Sequence, residues 1–259
     1  MTNNSSNSMD KKNFDKESKL IIDFGNTLAK VAVFQDDELI HLEKMSLVTT
    51  GYLDQLKHDF LPVSAIISTV IEVPSHIRQY LETHFTFYEL THLTRLPISN
   101  LYNSPETLGK DRLAAVTGAS ALFPLHDCLV IDIGTCITYD FIDKNACYHG
   151  GAISPGISLR FKALHNFTSK LPLVPYKNFE GLTGTTTEES ILSGVLNGTT
   201  AELKCIINDY CSIYPEIKVV LTGGDFNYFD KKLKSNIFAV PNLVLIGLNV
   251  ILDFNVKKK

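Results

Sequence analysis

Residues 19–34, KLIIDFGNTLAKVAVF, place two apolar runs either side of a polar Asp-Phe-Gly-Asn-Thr stretch. Gly and Asn tolerate the backbone angles of a tight turn, so the pattern predicts a β-hairpin. A third strand is expected over 37–43, a short helix over 51–60 and a buried strand over 64–69, SAIIST. Pro74 suits the first turn of a helix running to about residue 83, because its missing N–H is not needed there. Between 109 and 122 the small-residue run LAAVTGASAL predicts a helix that a neighbour can approach closely.

The hairpin pattern returns at 129–143, LVIDIGTCITYDFID. Asp23 aligns with Asp132, Gly25 with Gly134 and Asn26 with Thr135, each pair 109 residues apart. One supersecondary unit therefore occurs twice, at a spacing far too long for a solenoid. The repeat divides the chain into an N-terminal tail over 1–18 and two similar α/β halves, 19–124 and 125–259. The second half continues with a Gly/Pro-rich loop at 150–156 and a helix to about 164. A Thr-rich turn at 183–187 then precedes a helix over 188–209. A strand at 218–221 runs into Thr-Gly-Gly-Asp, and a last helix follows Pro241.

Composition narrows the chemistry. The 259 residues are 44% hydrophobic and 20% charged, which suits a globular chain with a substantial core. The net charge of −4 offers no global basic excess for a nucleic acid or an anionic membrane surface. No apolar stretch approaches the roughly 20 residues of a membrane span. The five cysteines, at 128, 136, 147, 205 and 211, form no CxxC pair and no zinc-site spacing. Their odd number and a polar N-terminal stretch without a signal-peptide core point to reduced thiols in the cytoplasm. Cys136 is read as a small buried filler.

An Asp at a strand end, followed by Gly and a hydroxyl or amide residue, suits phosphate handling. Gly lets backbone N–H groups approach phosphate oxygens, and Asn26, Thr27 or Thr135 can donate further hydrogen bonds. The Asp itself repels phosphate, so its sensible task is to hold a cation or its waters. The Walker, dinucleotide and zinc-protease motifs GxxxxGK[ST], GxGxxG and HExxH are all missing from the sequence. Asp111 and Arg112 read equally as a solvated pair at a helix start, where an acidic residue is favoured by the helix dipole.

Taken together, these motifs resemble the type III pantothenate kinases of the acetate kinase/sugar kinase/Hsp70/actin superfamily. DFGNTLAK (23–30) is similar to the family's first phosphate motif and DIGTCITYD (132–140) to its second. YNSPETLGKDR (102–112), GGAISPG (150–156), KLP (170–172), TTTEESILSG (185–194) and PNLVLIGL (241–248) resemble further blocks in the family's order. Cys136 stands where the family usually has Ala, and Thr186 where Asn is common.

The resemblance implies two ribonuclease H-like, actin-like ATPase halves. Each would be a mixed five-stranded sheet with helices, with ATP in the cleft between them. It implies ATP-dependent phosphorylation of pantothenate, the first step towards coenzyme A, with Mg²⁺ and an activating K⁺ or NH₄⁺. Asp23, Phe24, Gly25, Asn26, Thr27, Leu28, Ala29 and Lys30 would meet the nucleotide phosphates, with Thr135 contributing from the second turn. Tyr102, Gly109, Lys110, Asp111, Arg112 and Thr187 would line the pantothenate site. Asp111 would be the general base and Asp132 the monovalent-cation ligand. A homodimer is implied, its substrate pocket completed near the subunit interface. A non-catalytic relative, or a kinase of the superfamily acting on another hydroxyl, would share the two turns; the second would have no reason to carry YNSPETLGKDR.

Overall fold

A computed structural model describes residues 17–230, 233 and 237–257. Two compact units divide between Glu89 and Leu90. The first carries β1 (Ser18–Phe24), β2 (Ala29–Gln35), β3 (Glu38–Met45), α1 (Thr50–Phe60), β4 (Pro62–Thr69), α2 (Ser75–His84) and β5 (Thr86–Glu89). The sheet order is β3-β2-β1-β4-β5. β1 pairs antiparallel with β2 and parallel with β4. Leu20, Ile22, Val31, Val33, Ala65 and Ile67 meet Leu53, Leu56, Ile77 and Leu81 of the two helices, and the alternate positions Ile21, Ala32 and Ile66 are fully buried as well. The Thr49 hydroxyl accepts from Tyr52 N–H and starts α1, and Leu61 in the left-handed region ends it.

The second unit contains β6 (Ser99–Asn100), α3 (Lys110–Leu122), β7 (Cys128–Ile133), β8 (Cys136–Ile142) and β9 (Cys147–Pro155). It continues with α4 (Ile157–Asn166), α5 (Thr187–Ile213), β10 (Lys218–Thr222), α6 (Phe226–Asp230), β11 (Ile237–Ala239) and α7 (Leu243–Val256). Its sheet runs β11-β10-β7-β8-β9-β6. Five of these strands repeat the first sheet's order, with β7 antiparallel to β8 and parallel to β10. The internal repeat is thus a repeat of sheet topology. The sixth strand, β6, exceeds the five expected and adds itself parallel to β9.

α4 and α5 cover one face of this sheet through Ile157, Phe161, Leu192, Val195, Leu196 and Leu203. α3 packs on β7 and β8 and crosses α7 closely. A Cβ on Gly247 would lie 1.8 Å from the Ala114 carbonyl oxygen, so only glycine permits that crossing. The small residues of α3 serve the close approach expected of them. This crossing also explains why the compact units part earlier than the 120–128 boundary that the repeat suggested. α3 precedes the second hairpin in sequence but belongs with it in space. Residues 150–156, expected as a loop, lie mostly in β9, hydrogen-bonded to β8. The expected tail lies outside the described residues except Glu17 and Ser18, and Ser18 already pairs with Gln35 in the sheet.

Candidate active site

In the first unit, Asp23 is the last residue but one of β1, directly opposite Lys30 of β2, and residues 25–28 between the strands form the turn. Phe24 and Ala29 are buried and anchor it, whereas Asn26, Thr27 and Leu28 are exposed. Gly25 and Lys30 are half-buried. The Phe24 carbonyl accepts from Val70 N–H at 3.2 Å, which ties the end of β4 to the turn. Ser68 of β4 stands beside Asp23 in register. Its hydroxyl is fully buried and has no hydrogen-bond partner among the described residues.

The second turn is built alike. Asp132 ends the exposed side of β7, half-buried, and Thr135 presents an exposed side chain. The Thr135 carbonyl accepts from Gly156 N–H at 3.0 Å, so the end of β9 braces this turn. The Thr-Gly-Gly-Asp segment after β10 braces it from the other strand. Asp225 N–H donates to the Ile133 carbonyl at 3.0 Å. Gly223 has φ +102°, and a Cβ there would sit 2.3 Å from that carbonyl and 2.6 Å from Asp132 Oδ1. Burial pushes the Asp225 carboxyl above its ordinary pKa. Cys136, expected as a buried filler, is exposed at the end of this turn.

A separate cluster forms where β6, α3, β8 and β9 converge. β6 pairs with β9 and delivers Tyr102, whose ring stacks on Tyr148 at 6.2 Å and 17°. Arg112 lies over the Tyr102 ring, its guanidinium carbon 5.7 Å from the centroid. Arg112 Nε–H and Nη2–H donate to Asp140 Oδ1 at 2.9 and 2.6 Å, and the Tyr148 hydroxyl donates to the same oxygen at 2.7 Å. Burial alone would lower the Arg112 pKa, but the hydrogen bonds and charge of Asp140 outweigh it and hold the guanidinium firmly charged. Burial, and then Asp140, push the Tyr148 phenol up. The solvated-pair reading of Arg112 fails, since its side chain is only 7% exposed.

Asp111 occupies the first turn of α3, after Gly109 and Lys110, all three half-buried. Its Oδ1 accepts from Arg112 N–H at 2.8 Å, so base candidate and buried arginine share one helix start. Thr187 is exposed and opens α5. The Thr186 hydroxyl accepts from Glu189 N–H, and the Glu189 carboxylate accepts from the Thr185 N–H and hydroxyl. That arrangement is close to a capping box, and Thr186 performs the N-cap task an Asn would. Among the described residues, the hydrogen bonds and ring contacts that join Tyr102 and Arg112 do not extend to Thr187.

The sequence reading named Tyr102, Asp111 and Arg112 as site residues and did not name Asp140 or Tyr148, which the structure joins to Arg112 and to each other. The missing signal for Asp140 was present as a carboxylate in the apolar strand TYDFI. A buried charge there requires a buried partner.

Two sheets wound alike, each with an Asp-led glycine turn heading its central hairpin, give the chain a duplicated α/β fold of the actin-like class. The solved structures agree on the fold. A putative Baf family transcriptional activator from Campylobacter jejuni superposes with a TM-score of 0.57 at 23% identity, covering 92% of this chain and 99% of that one. The activator of the 2-hydroxyisocaproyl-CoA dehydratase from Clostridium difficile, with bound ADPNP, gives 0.51 at 13% identity over 94% and 96%. Within that class the chain belongs to the type III pantothenate kinase family, whose profile matches residues 19–209. The type III pantothenate kinase of Phocaeicola vulgatus is 49% identical over 239 residues, 92% of this chain and 99% of that protein.

Proposed function

We propose that this chain transfers the γ-phosphoryl group of ATP to the primary hydroxyl of pantothenate. The observation that carries the reading is the first turn of α3, where half-buried Asp111 adjoins an arginine sealed between Tyr102 and Asp140. A carboxylate so placed can orient an alcohol and accept its proton. An alcohol is a poor acid at neutral pH, so in a loose phosphoryl-transfer transition state the proton leaves late. Asp111 therefore acts by positioning as much as by basicity. Arg112 and Tyr102 bind the acceptor, and the turn amides and hydroxyls of 23–30 and Thr135 hold phosphate oxygens.

The donor set fits the implied cations. Mg²⁺ is commonly held by one or two carboxylates, waters and substrate phosphates, which asks of the protein only an Asp such as Asp23. Asp132, with strand-end carbonyls beside it and Gly223 keeping side-chain bulk away, offers an oxygen-only ligand set for K⁺ or NH₄⁺. Bound there, these ions would disperse phosphate charge. The family resemblance supports a homodimer, in which exposed Thr187 at the start of a second copy's α5 would complete the pocket. Ile153, Phe167 and Leu182, exposed by 64, 88 and 83%, offer apolar surface for such an interface. The five free thiols suit a reducing cytoplasm. Among the described residues no helix is long and apolar enough to cross a membrane.

A coupled assay with ATP, Mg²⁺ and pantothenate, run in K⁺, NH₄⁺ and Na⁺ buffers, tests the reading. ADP release that depends on pantothenate, and is faster in K⁺ or NH₄⁺, is expected. Turnover with sugars or other hydroxy acids in place of pantothenate would overturn the substrate. Equal rates in all three buffers, after stripping ammonium, would remove the monovalent ion from the mechanism. Sedimentation at micromolar concentration reads the dimer directly.

A further inference from the structure

We infer that Asp140 is a positioning residue for phosphoryl transfer, acting through Arg112 on the acceptor substrate. The inference rests on the kinase reading above and adds a residue to it. Asp140 is fully buried in β8, at the centre of a strand whose neighbours Tyr139 and Phe141 are core residues. An isolated carboxylate would not be tolerated there, and its hydrogen-bond partners come from two other elements of the same unit. Arg112 supplies two donor nitrogens from α3 and Tyr148 a phenol from β9, while Tyr102, just after β6, packs against the Tyr148 ring and the Arg112 guanidinium.

The geometry does more than satisfy a buried charge. A guanidinium is planar, so engaging Nε and Nη2 on the Oδ1 of one carboxylate, with Nε also 3.2 Å from its Oδ2, constrains that plane and thereby the direction of Nη1. Tyr102 closes one face of that plane, which leaves the orientation no slack. The Arg112 backbone N–H is in turn held by Asp111 Oδ1 at 2.8 Å. One carboxylate in the sheet thus sets the substrate-binding guanidinium, and the same helix turn carries the base. Asp140 itself reaches no reacting atom in this account. Its contribution is the pre-alignment of Arg112, so its loss should weaken acceptor binding before it slows the chemistry.

Steady-state kinetics of the full chain, varying pantothenate and ATP separately, test this. Asp140→Asn keeps the shape of the side chain but removes its charge and turns one acceptor into a donor facing Arg112. KM for pantothenate should rise roughly 10–100-fold, the scale of a misaligned contact remote from the chemistry. KM for ATP should change less than about threefold. Tyr148→Phe removes one hydrogen bond to Asp140 and should shift KM for pantothenate in the same direction by roughly 3–10-fold. It decides the matter if Asp140→Asn does not fold, as judged by its thermal transition. In an Arg112→Met background, adding Asp140→Asn should raise KM no further, because the residue acts through Arg112.

Equal changes in both KM values, or a full additional rise in the Arg112→Met background, would overturn the inference while leaving the kinase reading intact. An unmodified protein that turns over no pantothenate would overturn that reading and the inference with it.

Discussion

Arg112 and Asp140 form an ion pair, Nη2 to Oδ1 at 2.6 Å, whose side chains are 7% and 1% exposed. So complete a burial makes the pair asymmetric in its energetics. Its net worth relative to an apolar pair is small, because desolvation opposes the Coulombic gain, but orphaning either member is costly.

Asp140→Ala alone should therefore lower unfolding free energy by about 3–5 kcal/mol. The double substitution Arg112→Met with Asp140→Leu should recover most of that loss, since no charge is then left buried. Urea denaturation of the single and double variants reads both values. A double variant as unstable as the single would show that the hydrogen-bonded network, and not the orphaned charge, sets the cost.

Asp111→Asn addresses the proposed base. The amide preserves shape and can still hydrogen-bond the hydroxyl, yet it cannot take a proton. The turnover number should fall by roughly 10²–10⁴, the usual contribution of a general base. Pantothenate affinity, measured by calorimetry, should change far less. Near-normal turnover with weakened binding would reassign Asp111 to binding alone.

How much of this was legible beforehand depends on how local each signal is. The two hairpins were readable because apolar runs flank Asp-Gly turns, and the repeat of Asp23 at Asp132 announced the second sheet. β9 was not, because Gly-Gly-Ala-Ile-Ser-Pro-Gly carries no alternation. Its glycines reflect a close approach instead, with a Cβ on Gly151 falling 1.6 Å from the Tyr139 carbonyl oxygen. β5 and β11, four and three residues long, are too short for any periodicity to register. The compact units divide before α3, earlier than the repeat suggests, because α3 packs against α7, more than a hundred residues later in the chain. In the site, Tyr102, Asp111 and Arg112 were reached through a family motif. Asp140 escaped because its partner lies 28 residues earlier in another element.

Acidification should expose a second network. The Arg160 guanidinium donates to Glu202, to Ser154 Oγ at 2.9 Å and to the Pro155 carbonyl at 2.8 Å, while the Tyr139 hydroxyl donates to Glu202 at 2.7 Å. Burial would raise the Glu202 pKa, but these hydrogen bonds and the charge of Arg160 outweigh it and hold the carboxyl below its ordinary 4.5. A lowered folded pKa means the stabilisation is fully present above 4.5 and disappears as pH falls through the folded value. Arg160→Met should cost about 1–3 kcal/mol at pH 7. Its melting temperature should then decline less steeply than that of the unmodified protein below pH 4.5. Parallel declines would place the acid-sensitive group elsewhere.

Gly223→Ala tests whether the backbone beside the Asp132 turn is shaped for glycine. Its φ of +102° lies where L side chains are strained, and the added methyl would meet the Ile133 carbonyl oxygen at 2.3 Å and Asp132 Oδ1 at 2.6 Å. Both contacts are far inside van der Waals separation, and one of them is backbone in β7, which cannot yield cheaply. Strain and displacement together should cost about 1–3 kcal/mol of stability. The turn must also move, because the Asp225 N–H that donates to the Ile133 carbonyl sits two residues beyond the substitution. The functional consequence should therefore concentrate on the groups this turn serves. KM for ATP and the concentration of K⁺ giving half-maximal rate should both rise, while KM for pantothenate stays near its original value, since Tyr102 and Arg112 are held by β6, α3, β8 and β9. A variant with unchanged cation and ATP dependence, despite the lowered stability, would separate Asp132 and its turn from the nucleotide.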